Sequence, residues 1–282
     1  MRVAIIGLGL IGGSMGMALS RLGADIEIVG YARKPQVAGR AVELGVVGRT
    51  EGSAASAVVG SDLVIVATPA LSVKDILSEI RDSLREGAIV TDVASTKAAV
   101  MGWADELLHD SVSFVGGHPM AGKETSGIEA ADGDLFKGCI YCLVPGRKAS
   151  KEAVATLESL VRRIGAEPLF IEAVEHDRFV AGISHLPLLI SVALVSATAG
   201  SPSWPAMSKL ASTGYRDVSR LASGDPLMGR DICLTNKQPI VQWLDDYIAE
   251  LKKLRSLVDG GGEGLEQALV TAREARERWL QK

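Results

Sequence analysis

Val3-Ala4-Ile5-Ile6-Gly7-Leu8-Gly9-Leu10-Ile11-Gly12 begins two residues into the chain. A short aliphatic run enters a G-x-G-x-x-G turn, and helical spacing from Ile11 to Leu22 follows it. In a strand–turn–helix of this kind Gly7 permits the tight turn. Gly9 lets the backbone approach a pyrophosphate, and Gly12 lets the helix pack closely on the strand. The helix N-terminus then presents free N–H groups and a favourable dipole to phosphates. The same alternation continues outward. Ile26–Val29, Leu63–Val66, Ala88–Thr91 and Val112–Val115 read as buried strands, with helical segments at Gln36–Leu44, Val73–Leu84 and Lys97–Leu108. Alternating strands and helices imply parallel strands joined by right-handed crossovers, hence a doubly wound sheet of the Rossmann type. Ile140–Val144 and Pro168–Ile171 are expected to complete it.

Beyond Glu172 the pattern changes. Val174–Ala199, Trp204–Leu221, Pro226–Leu234, Pro239–Val258 and, after Gly260-Gly261-Gly262, Leu265–Trp279 all show helical spacing. The expected organisation is a dinucleotide-binding domain over residues 1–172 and an all-helical domain over 173–282 for substrate binding and dimerisation. A chain of 282 residues with 47% hydrophobic residues can bury a large core. A net charge of −4 gives no electrostatic footprint for nucleic acid or an anionic membrane. The longest apolar run, Leu186–Ala199, is short of the roughly 20 residues that a bilayer span requires. Three cysteines are no disulfide framework, so a cytoplasmic location is the default.

The ribose-binding position identifies the expected dinucleotide. About 20 residues past the fingerprint, a carboxylate would bond the 2′-hydroxyl of NAD. Here Gly30-Tyr31-Ala32-Arg33-Lys34 offers no acid and two cations, which favours a 2′-phosphate and therefore NADP, with NAD second. Gly116-Gly117-His118-Pro119-Met120-Ala121-Gly122 lies at the C-terminal end of a strand, the edge where open α/β sheets bind ligands. A histidine held there is poised as a proton acceptor, or it is a structural turn residue. As a base it should lose activity near the ordinary histidine pKa of about 6.5.

Together the motifs Gly7–Gly12, Asp92-Val93-Ala94-Ser95-Thr96-Lys97, Gly117–Gly122, Ser184-His185-Leu186-Pro187 and Arg216-Asp217-Val218-Ser219-Arg220 resemble the prephenate/arogenate dehydrogenase family of tyrosine biosynthesis. The resemblance spans nearly the whole chain. It implies a homodimeric oxidoreductase acting on a cyclohexadiene with a ring hydroxyl opposite a ring carboxylate. Oxidation with loss of CO2 would give 4-hydroxyphenylpyruvate from prephenate, or tyrosine from arogenate. His118 matches the family's base and Ser95 the serine that orients the hydroxyl beside the cofactor. Arg220 matches the arginine on the ring carboxylate, with Arg216 as its rival. His185, Glu124 and Lys97 complete the substrate set, although Lys97 could contact cofactor or merely open its helix. The cofactor set is Gly7, Gly9, Leu10, Ile11, Gly12, Arg33, Thr68 and Ser95.

Leu188 stands where many prephenate-preferring relatives carry a second histidine, and Gly229 where some carry tryptophan. Both departures leave pyruvyl against alanyl recognition open. The competing readings are an NADP-dependent enzyme of the β-hydroxyacid dehydrogenase or imine reductase type, and a non-catalytic NADP-binding regulator. Cys139-Ile140-Tyr141-Cys142 has no second pair and reads as a packed strand, so no metal centre is expected. His109 and His176, in polar surroundings, are expected to be exposed or capping.

Overall fold

The computed structural model describes residues 1–23, 25–123 and 125–281. Eight strands form one sheet: β1 (Arg2–Ile6), β2 (Glu27–Tyr31), β3 (Arg49–Thr50), β4 (Leu63–Val66), β5 (Ile89–Asp92), β6 (Ser113–Pro119), β7 (Ile140–Pro145) and β8 (Glu167–Phe170). Their order is β3-β2-β1-β4-β5-β6-β7-β8. Helices α1 (Leu10–Ser20), α2 (Pro35–Glu43), α3 (Ala54–Val58), α4 (Ser72–Ile80), α5 (Ala98–Leu107) and α6 (Lys151–Arg163) cover it. Alternation along β1 shows why the strand is apolar throughout: Val3 and Ile5 pack with α1 and α6 side chains, Ala4 and Ile6 with α3, α4 and α5. A strand covered on both faces loses the apolar–polar alternation of a half-exposed one.

The chain order reverses between β1 and β4, which places a ligand crevice at the ends of those strands. Gly7 has φ +102°, and a Cβ on Gly12 would lie 1.9 Å from the Gly7 carbonyl oxygen. A Cβ on Gly9 would meet nothing within 4 Å, so that position faces open space. The first and third glycines thus close the turn, and the middle one leaves room for a ligand.

Two features depart from the sequence reading. Parallel pairing was expected throughout, but β7 runs antiparallel to β6, with His118 opposite Cys142. Among its described residues the connection between them holds a 3-10 turn at Ile128–Ala130 and no crossover helix, and the chain returns as a long hairpin. In addition β6 continues through Gly116 and Gly117 to Pro119, so His118 is a strand residue.

The remainder is helical: α7 (Ala173–Val180), a π-helical turn (Ala181–His185), α8 (Leu186–Ala199), α9 (Trp204–Met207), α10 (Thr213–Ser219), a 3-10 turn (Arg220–Ser223), α11 (Pro226–Thr235), α12 (Lys237–Asp259) and α13 (Leu265–Leu280). The single helix expected over Trp204–Leu221 is broken where Ala211 and Ser212 take extended backbone. Conversely, α7, the π turn and α8 form one continuous helix, Ala173–Ala199, of 27 residues. By length and composition it could cross a membrane, which the apolar run alone could not. Within the chain it is tied to its neighbours by polar bonds. Ser191 Oγ accepts from Ala222 N at 2.9 Å, and the Thr198 and Tyr215 hydroxyls bond at 2.8 Å. The wide turn precedes Pro187, which has no N–H to offer a regular helix, and it closes with Leu186 N donating to Ala181 O.

Candidate active site

A cleft of about 470 Å³ lies between the C-terminal strand ends and the helical half. From the sheet side it is lined by Leu10, Ile11, Val93, Ser95 and the His118–Lys123 stretch. From the helical side come Ile183, Ser184, His185, Pro187, Leu188, Arg220 and Leu221. The fingerprint, the Ser95 loop, the His118 strand and the Ser-His-Leu-Pro turn therefore converge on one space. Arg216 does not line it, and Arg220 does. Arg33 is exposed at the end of β2, beside the fingerprint, where Tyr31 O accepts from Gly7 N at 2.8 Å. Glu124 lies outside the described residues.

Lys97 is not where the substrate set placed it. It is fully buried behind β6 and does not line the cleft. Its ammonium bonds the Asp92 carboxylate and, at 2.6 Å, the Gly117 carbonyl. Burial pulls its pKa below the ordinary lysine value, against the opposing attraction of Asp92. Asp92 also accepts from Gly117 N at 3.2 Å and Ala94 N at 2.8 Å. A Cβ on Gly117 would lie 2.5 Å from Asp92 O, so only glycine lets this strand approach the pair so closely. Lys97 and Asp92 thus anchor the segment that presents His118.

His118 is buried except for the edge that meets the cleft. Its Nδ1 lies 2.9 Å from Nε2 of His176, whose Nδ1 is 2.8 Å from Asp177 Oδ1. Asp177 also receives Lys97 N at 2.7 Å and Ala98 N at 2.9 Å, the free amides at the start of α5. His176, expected from its polar neighbours to be exposed or capping, is 1% exposed and within bonding distance of His118. The available signal was spacing. Positions 176, 180 and 184, like 177, 181 and 185, recur every four residues along one face of the helix that ends in Ser-His-Leu-Pro. Flanking Glu175 and Arg178 obscured that face.

His185 is likewise buried. Its Nδ1 is 3.2 Å from Asn236 Nδ2, and its Nε2 has no partner among the described residues. Burial holds His118 well below the ordinary histidine pKa, with His176, Lys97 and His185 adding to the effect. Burial also brings His185 down to about 4, against the pull of Asp177. Both rings are neutral at physiological pH, so His118 is competent to accept a proton. Thr68 Oγ1 is another buried polar atom without a partner among the described residues, close to the fingerprint: its backbone N is 3.1 Å from a Cβ placed on Gly7. The open approach at Gly9 and the orphaned Thr68 hydroxyl together fit a bound dinucleotide. The cysteines at 139 and 142 are free thiols, and among the described residues no cluster of His, Cys, Asp or Glu could hold a metal.

This is a two-part site, with a nucleotide edge on a doubly wound sheet and a histidine-lined cleft closed by helices. Sequence models of one family match both parts. "Prephenate dehydrogenase, nucleotide-binding domain" covers residues 15–169, and "Prephenate dehydrogenase, dimerization domain" covers 172–271. The chain is 37% identical to a prephenate dehydrogenase of Bacillus subtilis over 98% of its own length and 75% of the relative's. The Aquifex aeolicus prephenate dehydrogenase, solved with hydroxyphenyl propionate and NAD+, superposes with a TM-score of 0.90 at 29% identity, covering 100% of this chain and 98% of that one. Synechocystis arogenate dehydrogenase gives 0.83 at 31% identity, covering 99% and 100%. The chain belongs to the prephenate/arogenate dehydrogenase family, and its activity is that of the family.

Proposed function

We propose that the cleft oxidatively decarboxylates prephenate or arogenate, with His118 as the base. The observation that carries this is a buried, neutral imidazole at the lip of a cleft that also holds Ser95, His185 and Arg220. A bound nicotinamide would supply the acceptor for the hydride of the carbinol carbon. His118 accepts the hydroxyl proton, which Ser95 orients toward it. Arg220 holds the ring carboxylate until its C–C bond breaks and CO2 leaves. The electron pair of that bond passes through the ring to the oxygen, which takes back the proton from His118 as the phenol forms. Residues 1–172 carry the dinucleotide and 173–282 the substrate, with Glu124 assigned to the substrate side. Three free thiols suit a reducing, cytoplasmic setting.

The cofactor is NADP in this reading, although the Aquifex relative was solved with NAD+. Exposed Arg33 follows Ala32 at the position where a ribose-binding acid would stand, and a guanidinium fork suits a 2′-phosphate. Cofactor reduction should therefore be assayed with NADP and NAD, against prephenate and arogenate separately. NADP should show the higher kcat/KM, and Arg33→Ala should weaken NADP much more than NAD. An equal loss for both would show that Arg33 does not read the 2′-phosphate, and no reduction with either substrate would refute the proposed reaction.

The chain is proposed to work as a homodimer. In the helical half the buried apolar cluster comprises Ala181, Ile232 and Ile240, a small core for so many helices. Val174, Val258, Leu269 and Trp279 are all more than 60% exposed in the single chain. A surface this apolar marks an interaction site. Light scattering should give twice 29.6 kDa. A fully active monomer at micromolar concentration would refute the dimer.

A further inference from the structure

We propose that Asp177 and Asn236 set the two cleft histidines in opposite tautomers, so that His118 presents a bare Nε2 and His185 presents Nε2–H. Asp177 and His176 act on His118, and Asn236 acts on His185; all three are positioning residues. The inference rests on reading His118 as the base and adds how its proton-accepting atom is fixed.

Both Asp177 oxygens accept backbone amides, Oδ1 from Lys97 N and Oδ2 from Ala98 N. This is the ionised, acceptor-only carboxylate favoured at a helix N-terminus. The 2.8 Å contact at Oδ1 therefore requires a proton on His176 Nδ1. A neutral His176 then has a lone pair on Nε2, and the 2.9 Å contact with His118 Nδ1 is made by a proton on the His118 side. Nε2 of His118 is left bare at the cleft. In the opposite arrangement His176 would be a cation donating from Nε2 to His118 Nδ1. Asp177 could pair with that cation, but His118 would then carry its own proton on Nε2 and could accept nothing there, so the assignment of His118 as the base selects the neutral His176.

The other ring is set from the Asp177 carbonyl. It accepts from Asn236 Nδ2 at 2.7 Å, which identifies that atom as the amide nitrogen. The same nitrogen lies 3.2 Å from His185 Nδ1 and can only donate, so His185 Nδ1 is the acceptor. A neutral His185 must then carry its proton on Nε2, the buried atom without a partner among the described residues. The cleft thus offers one acceptor for the substrate hydroxyl, and His185, which borders it, carries an unpartnered donor on a buried nitrogen. The proton that His118 takes is held there until the phenol forms and is not passed on to His176. His176 holds the ring's orientation and accepts from the imidazolium, the role that an orienting group plays for a general base.

The test is 15N NMR of histidine-labelled enzyme at neutral pH without substrate, with the four histidines assigned by single replacement. The proposal requires His118 protonated at Nδ1 and bare at Nε2, and His185 protonated at Nε2 and bare at Nδ1. His176→Phe keeps a ring in the space and removes the acceptor. It should move the His118 proton to Nε2 and lower kcat by about 10- to 100-fold, short of the roughly 10²–10⁴-fold of a general base, with KM little changed. His176→Gln, which keeps an acceptor oxygen, should retain more of kcat than His176→Phe. Both rings in the same tautomer in the wild type, or a His176→Phe enzyme with unaltered tautomer and kcat, would overturn the proposal. Because the tautomers are read in the resting enzyme, an error in the substrate assignment leaves this test intact.

Discussion

His118→Asn is expected to lower kcat by about 10²- to 10⁴-fold, the contribution of a positioned general base. Substrate affinity should change far less, because the amide can still bond the hydroxyl. The pH profile separates catalysis from structure. The ordinary histidine value suggests an acid limb near 6.5, but burial in this cleft depresses the base, so the limb should lie well below that value. A neutral base survives acidification until its own depressed pKa is reached. Stability follows the same sign. Below about 6.5 the unfolded chain takes up protons that folded His118 and His185 refuse, so the folded state weakens as pH falls toward the His185 value of about 4. Thermal denaturation beside the rate profile separates the two limbs. A folded His118→Asn enzyme with most of its kcat and an unchanged profile would remove His118 from the chemistry.

Arg220→Ala is expected to raise substrate KM and to leave the cofactor dissociation constant near its original value. The side chain lines the cleft from the 3-10 turn that follows α10, away from the glycine fingerprint. A charge-assisted hydrogen bond of about 1.5–3 kcal/mol corresponds to roughly 10- to 150-fold in affinity. Arg220→Lys keeps the charge but loses the planar fork, so it should fall between wild type and alanine. Arg216 is the internal control. It is exposed on α10, outside the cleft lining, and Arg216→Ala should scarcely change KM. The reverse outcome would transfer the carboxylate to Arg216.

Much of this site is legible in the chain before any coordinates. A fingerprint at residue 7, short aliphatic strands and the Gly-His-Pro and Ser-His-Leu-Pro motifs are local patterns, and local patterns survive in sequence. What was hidden depends on distance. Lys97 looks like a cleft residue by its motif, yet its ammonium turns inward to Asp92, a pairing made possible by two glycines in β6. His176 looks polar and exposed by its neighbours, yet it lies 58 residues from His118 in the chain and touches it in space. The reversal of β7 was concealed for a related reason: a long connection without helical spacing does not state its direction.

In the proposed mechanism one cleft couples hydride loss, proton acceptance and decarboxylation. That coupling is tested most directly by a single turnover with substrate labelled at the ring carboxyl, following CO2, reduced nicotinamide and aromatic product together. Equal amounts of all three are expected, with a parallel slowing of all three in His118→Asn. CO2 released without reduction of the nicotinamide, or reduction without CO2, would contradict the coupling.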